Sequence, residues 1–272
     1  MWWRDDPNTE CIFLAKPALS GSLILIGTLA VKQGWGHGMA DSVRDSSKAS
    51  ASGATPRQPV FHEILGDDWY RLGGVVRRHY FLRAFSDDHI CVRGRMHEVW
   101  HGAAARLLIP FARIFGALVP YRGTDVPIEV DYRARPGDST IHWDRVFHFA
   151  GRPAFHFRSH MEPAGGNRVI EFVRFGIGMR LKVTAEEGAL VFRDAGYIWR
   201  ILGIDMPLPV GLVLGRAYIE ERPVDASHFS MRMTLTHPLF GELFRYSGSF
   251  ALGDERVTSV DAPETGGTRV PR

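Results

Sequence analysis

The chain has 272 residues, 45% of them hydrophobic, and a formal net charge of +3, which suits one large or two small domains with an ample packed core. Its basic residues are nearly all arginines scattered through apolar alternation, with lysine only at Lys16, Lys32, Lys48 and Lys182, so the clustered basic face that nucleic acid requires is excluded. Two cysteines, Cys11 and Cys91, form no disulfide framework and no zinc spacing, and the expectation is a reducing, cytoplasmic compartment.

Residues 1–57 read as a poorly ordered N-terminal extension and linker. The stretch 18–31 is apolar and uncharged but shorter than the ~20 residues that span a bilayer. Asp5, Asp6 and Glu10 stand where an export signal carries basic residues. Membrane association through 18–31 stays open as the alternative. Residues 40–58 are rich in Ser, Ala, Asp and Lys, a linker composition with too little apolar surface to fold.

A single β-rich domain is expected over 58–254. Residues 61–85 show one helical face built from Ile64, Leu65, Trp69, Leu72, Val76 and Tyr80, weakened in the middle by Gly73-Gly74. His79 beside Arg77 and Arg78 reads as a cationic helix C-terminus that suits the dipole, with a catalytic role as the alternative. Residues 90–99 read as a strand. Residues 102–119 read as a second helix with Leu107, Leu108, Phe111, Ile114, Phe115 and Leu118 on one face and a kink at Pro110. The reading taken is a core helix packed on the sheet, with Arg106 and Arg113 snorkelling at its edge. A lid over a lipid site or a helix lying on a membrane is the alternative.

Strands are expected at 125–135, 139–149, 154–162, 168–175, 177–185, 188–194, 216–222, 228–236 and 242–252, with turns at Gly137-Asp138, Gly151-Arg152-Pro153, Gly165-Gly166-Asn167 and Glu187-Gly188. Residues 195–215 break the pattern and read as a loop with a short helical turn. Residues 255–272 read as a disordered tail. Consecutive short strands with turn signals predict an α+β, mainly β fold: a long antiparallel meander curled into a lipocalin-like barrel, with the two helices on or in it. A curled sheet of this size holds one small ligand.

One apolar face of this meander carries polar residues. Ile141, Trp143, Phe147 and Phe149 alternate with Arg145 among them; Phe155, Phe157 and Met161 alternate with Ser159; Val169, Val173 and Phe175 alternate with Glu171. If Ala150 pairs with Ala154 and Glu162 with Arg168, then Arg145 faces Ser159 and Ser159 faces Glu171. The three form a row in which the guanidinium reaches the carboxylate. Such a row is either a polar anchor inside an apolar pocket or a buried ion pair that sets strand register. The opposite face carries His142, Asp144, His148, His156 and His160. In that register His148 faces His156 and Asp144 faces His160, too far apart for one metal site, and an exposed polar face is expected. No Gly-x-Ser-x-Gly elbow and no glycine-rich phosphate loop occurs, so no cofactor is implied, and strands that do not alternate with helices exclude a Rossmann fold.

Four passages carry a family likeness over about 190 residues. They are His79 followed by Val92-Arg93-Gly94; Trp143-x-Arg145-x-Phe147 with Phe157-x-Ser159; Glu171 with the alternating strand after it; and Pro207-Leu208-Pro209, Phe229, His237-Pro238-Leu239-x-Gly241 and Tyr246-x-Gly248. In their order and spacing they resemble the bacterial domain of unknown function 4166. His237-Pro238 stands where that family more typically has a less polar dipeptide. The resemblance implies a single β-rich domain, favours Arg145, Ser159 and Glu171 as a meaningful set, and suggests a short-chain dehydrogenase-like partner. It implies no activity.

The functional expectation is a binding module for an apolar or acyl-type small molecule. Trp143, Phe147, Phe157 and Tyr246 line the wall, and Arg145, Ser159 and Glu171 orient a polar group. An isomerase or cyclase using Glu171 as base in the same cavity, and an accessory domain for a dehydrogenase-like partner, are the alternatives.

Overall fold

The structure is a computed structural model that describes residues 57–256. The expectations for the extension before residue 57 and for the tail after residue 256 lie outside the described residues. In chain order the elements are α1 (Val60–Leu65), α2 (Gly74–His79), β1 (His89–His101), α3 (Ala105–Phe115), β2 (Gly123–Arg135), β3 (Asp138–Phe147), β4 (Phe155–Pro163) and β5 (Arg168–Phe172). Then come β6 (Ile177–Glu186), β7 (Ala189–Ile201), β8 (Ile204–Leu208), α4 (Gly211–Leu214), β9 (Arg216–Pro223), β10 (His228–His237) and β11 (Gly241–Arg256).

Apart from β8 and β9, strands consecutive in the chain pair antiparallel. β11 returns to β1, and β7 pairs with both β6 and β9, so ten strands close into a barrel. β8 stands outside that ring as a hairpin on β7. Closure leaves the ten strands no open edge, and alternation along each strand sends every second side chain inward. The expected barrel-like meander is therefore the fold observed.

The helical parts differ from expectation. The single helix over 61–85 is instead two short helices joined by a 3-10 segment, Gly66–Arg71. Gly66 takes φ +56°, a left-handed value that ends α1, and Gly73-Gly74 separates the second helix. The loop expected at 195–215 is largely strand: β7 runs on to Ile201, turns through Leu202 and Gly203 at positive φ, and returns as β8. The strand expected over 168–175 stops at Phe172, because Phe175 adopts φ +60° and swings its ring into solvent.

The α1–α2 segment plugs one end of the barrel. The Phe61 ring packs on Tyr80 and Phe192 at 4.5 and 6.0 Å, and His79 stacks on Phe229 of β10 at 4.5 Å. β1 starts beside this plug and ends beside α3, so α3 lies at the opposite end. There the core-helix expectation for α3 fails. Ala105 and Ala112 are buried, whereas Leu107, Phe111 and Ile114 are 78%, 64% and 58% exposed. The helix rests on the barrel rim by a small-residue edge and leaves most of its apolar face uncovered.

Cys91 is buried on β1. Among the described residues no helix is long and apolar enough to cross a membrane.

The β1–β11 seam is close. A Cβ added at Gly248 would lie 2.6 Å from the Arg95 carbonyl oxygen and 3.1 Å from the Met96 Cα, both backbone atoms that cannot yield without moving the strand. Gly248→Ala is therefore expected to destabilise by about 1–3 kcal/mol, the usual cost of overpacking, in urea unfolding. An unchanged midpoint would mean that the seam is looser than it looks.

His101, at the end of β1, is fully buried, and its Nε2 pairs with the Val119 carbonyl at 2.8 Å, tying the segment between α3 and β2 to the barrel wall. Burial pushes its titration down; the bond to Val119 pulls it up, and the Arg122 guanidinium lowers it again, for a net downward shift. His142 is lowered too, first by burial. For both, the unfolded chain takes up protons below an ordinary pKa of about 6.5 before the folded chain does, so stability falls as pH drops through that value. The urea midpoint is expected to stay level from pH 8 to 7 and decline below 6.5, with His101→Gln declining less between 6.5 and 5. Parallel curves for the two proteins would remove His101 as a cause.

Candidate functional site

Arg145, Glu171 and Glu221 face one small cavity of about 70 Å³ inside the barrel, and they belong to two polar groups. The first is the expected trio. Arg145 Nη1 donates to Ser159 Oγ at 3.0 Å, Arg145 Nη2 donates to Glu171 Oε1 at 3.0 Å, and Ser159 Oγ donates to the same Oε1 at 2.7 Å. All three side chains are buried. The guanidinium also lies 4.4 Å from the Trp143 ring centre and 5.1 Å from that of Phe157. Burial opposes its charge, and the Glu171 carboxylate beside it more than restores it, so the Arg145 pKa is raised.

The trio meets although both assumed registers are wrong by two residues. Arg145 pairs with Phe157, Trp143 pairs with Ser159, and Glu171 pairs with Met161. A slip of one residue would have turned every side chain to the other face, whereas a slip of two keeps the face. Strands in a barrel tilt by about 35–45° to its axis, so inward groups at the same height are diagonal neighbours. Long side chains span that diagonal.

The second group was missed. His79 of α2 points into the barrel, fully buried, with Nδ1 3.0 Å from Glu221 Oε2 of β9. Its ring lies between Tyr80 and Phe229 and edge-on to Tyr132, each at 4.5 Å. Read as a helix-terminal cation, His79 was placed on the wrong side of its helix. Glu221 shared the signal that found Arg145: Ala217, Ile219 and Glu221 alternate on one strand face, and a carboxylate on an inward face needs a partner.

Three phenols stand with these two groups in the cavity wall. Burial, then the Glu221 carboxylate, raises Tyr80 and Tyr132 well above the ordinary phenol range. Burial raises Tyr246 to about 12 against the lowering effect of Arg145. All three stay protonated at any ordinary pH and remain able to donate a hydrogen bond.

Of the expected wall residues, Trp143, Phe157 and Tyr246 line the cavity. Phe147 does not: it is fully buried and stacks on Phe149 at 6.0 Å as part of the core.

Toward α3 the cavity shares wall residues with a larger apolar vestibule of about 400 Å³. Its walls include Leu108, Phe111 and Phe115 of α3, Val213 and Leu214 around α4, and Trp199 and Leu208 of the β7–β8 hairpin. Ala117, Leu118, Phe157, Glu171, Met179 and Met233 border both spaces and form the neck between them. Glu171 is the one charged residue at that neck. Both protein donors go to its Oε1, which leaves Oε2 for a further donor.

The histidine face is structural. His142 pairs with His160, and Asp144 pairs with Arg158, against the expected partners. Asp144 holds both His156 Nδ1 and Arg158 Nε at 2.9 Å, while Asp138 holds His142 Nε2 at 3.0 Å. The carboxylates on this face are thus occupied by basic side chains of their own sheet.

A family model described as Domain of unknown function (DUF4166) matches residues 72–250. The uncharacterized protein YndH of Bacillus subtilis (strain 168) is 24% identical over 164 residues, covering 58% of this chain and 80% of the relative. Among solved structures, the S-type phycobiliprotein lyase CPES from Guillardia theta is 8% identical with a TM-score of 0.32, over 63% of this chain and 89% of that one. The dehydratase domain of the polyketide PpsC from Mycobacterium tuberculosis is 6% identical with a TM-score of 0.15, over 70% and 84%.

Proposed function

The chain belongs to the DUF4166 family, whose description carries no activity, and we propose from geometry that the barrel binds a small apolar ligand with a hydrogen-bond-donating head. The observation that carries this reading is the apolar vestibule of about 400 Å³ that narrows onto Glu171. That volume lies in the range of small-molecule sites, which are mostly apolar with a few placed polar groups. The ligand body fills the space between α3, α4 and the β7–β8 hairpin. Its head reaches the neck and donates to Glu171 Oε2, with Trp143, Phe157 and Tyr246 around the anchor.

Electrostatics selects the head group. Arg145 is already neutralised by Glu171, so the anchor offers a carboxylate oxygen and not a free cation. An alcohol, amine or amide N–H fits; a free carboxylate meets Glu171 unfavourably. The test is uptake of an environment-sensitive apolar dye, followed by displacement with chain-matched alcohol, amine and carboxylic acid. Displacement by alcohol or amine at least about tenfold better than by acid is expected. Best displacement by the acid would overturn the head-group assignment, and absence of dye uptake would overturn the site.

A second reading, acid–base chemistry in the same cavity, is favoured by the buried His79–Glu221 pair, since a carboxylate beside an imidazole is equipped to move a proton. Glu171, first considered as the base, is held by Arg145 and Ser159, so the role passes to Glu221. A co-purified ligand that exchanges a carbon-bound proton in deuterated water, with His79 and not without it, supports this reading. A ligand returned unexchanged leaves binding alone. Nothing in the geometry favours a dehydrogenase-like partner.

A further inference from the structure

The α3 end of the barrel carries a surface that ligand binding does not explain. At 3.6 residues per turn, Leu107, Phe111 and Ile114 form one stripe along α3, and Arg106 and Arg113, seven residues apart, form a line beside it. The stripe faces solvent. It continues onto Phe175, 65% exposed, whose ring lies 6.0 Å from that of Phe115, and across the vestibule mouth to Leu212 and Val213 of α4. Bulky apolar side chains clustered this way are rare on a lone soluble protein and mark a binding face.

Charge identifies the partner. Arg174 packs against Gly116 at the end of α3, and Arg216 follows α4. With Arg106 and Arg113 they make four exposed arginines around the apolar patch, and none of them forms an ion pair among the described residues. Elsewhere on the barrel many arginines are paired, as in Arg200 with Asp205 and Arg245 with Glu98. An apolar helical stripe edged by unpaired arginines is the pattern of a helix lying in the plane of an anionic lipid surface.

We propose that the α3–α4 face docks on an anionic bilayer, so that the vestibule opens onto the acyl region and exchanges its ligand there. The proposal deepens the ligand reading by naming the source of the ligand, and it can fail separately from it.

Leu107 and Ile114 do not line the vestibule, so they test docking alone. The full chain is sedimented with vesicles of phosphatidylcholine, or of phosphatidylcholine with phosphatidylglycerol. Wild type is expected to bind the phosphatidylglycerol vesicles at least about tenfold better, with binding falling as salt screens the arginines. Leu107→Glu with Ile114→Glu is expected to lose vesicle binding yet keep dye uptake in solution. Arg106→Glu with Arg113→Glu is expected to lose the preference for phosphatidylglycerol.

Failure of wild type to bind either vesicle overturns the proposal. So does retained binding in the α3 variants, the result expected if residues 18–31 carried the attachment. Dye uptake without vesicle binding sinks docking and spares the ligand site; vesicle binding without dye uptake does the reverse.

Discussion

Arg145→Ala is expected to cost the barrel about 3–5 kcal/mol, the usual penalty for leaving one member of a buried ion pair behind. Glu171 and Ser159 are both buried, and the guanidinium supplies a donor to each. Once it is gone, Glu171 retains only the serine hydroxyl. A group exchange that removes all three polar residues behaves differently. Replacing a buried pair by packed apolar side chains is often neutral or stabilising. The triple variant Arg145→Met, Ser159→Ala, Glu171→Met is expected to recover most of the lost stability in urea unfolding. It separates the two roles open for this trio: an anchor that exists for a ligand leaves the triple variant folded but unable to prefer alcohol over acid, whereas a pair that only sets register leaves that preference intact. Continued discrimination between head groups by a well-folded triple variant would refute the anchor.

How the trio became legible is instructive. Strand alternation placed Arg145, Ser159 and Glu171 on the inward face correctly, because burial of one face is encoded at period two and needs no knowledge of partners. Register was not encoded in that way. The turns at Gly151-Arg152-Pro153 and Gly165-Gly166-Asn167 are compatible with several loop lengths, and barrel tilt decided which side chains met. The hairpin β7–β8 was hidden because Pro207-Leu208-Pro209 mimics loop composition, although β8 pairs only with β7 and so tolerates proline on its open side. α3 misled for another reason. Its apolar periodicity is real, but periodicity reports only that a face avoids water, and Leu107, Phe111 and Ile114 are not covered by the described residues. His79 escaped because a histidine next to Arg77 and Arg78 looks like surface charge until the fold shows that α2 is a plug.

Ala117→Phe is expected to abolish binding of long ligands while leaving stability nearly unchanged, the opposite signature to Arg145→Ala. Ala117 borders both the vestibule and the inner cavity, as Glu171 and Phe157 do. Its backbone cannot swing aside. Gly116 ends α3 at φ +66°, the Ala117 N–H donates to the Ala112 carbonyl at 2.8 Å, and two residues on the Val119 carbonyl is bonded by His101. A phenyl ring on this fixed point projects into open space rather than into packed core, so the cavity closes without a large overpacking cost. A dye or alcohol whose head must reach Glu171 then loses its anchor. The expected loss is at least tenfold in affinity, about 1.4 kcal/mol, with the urea midpoint close to wild type. A short apolar probe that occupies only the vestibule is expected to bind as before, since Leu108, Phe111, Trp199 and Leu208 are untouched. Unaltered affinity for the long alcohol in a normally folded Ala117→Phe protein would show that the ligand never passes the neck, and the assignment of Glu171 as its anchor would fall with it.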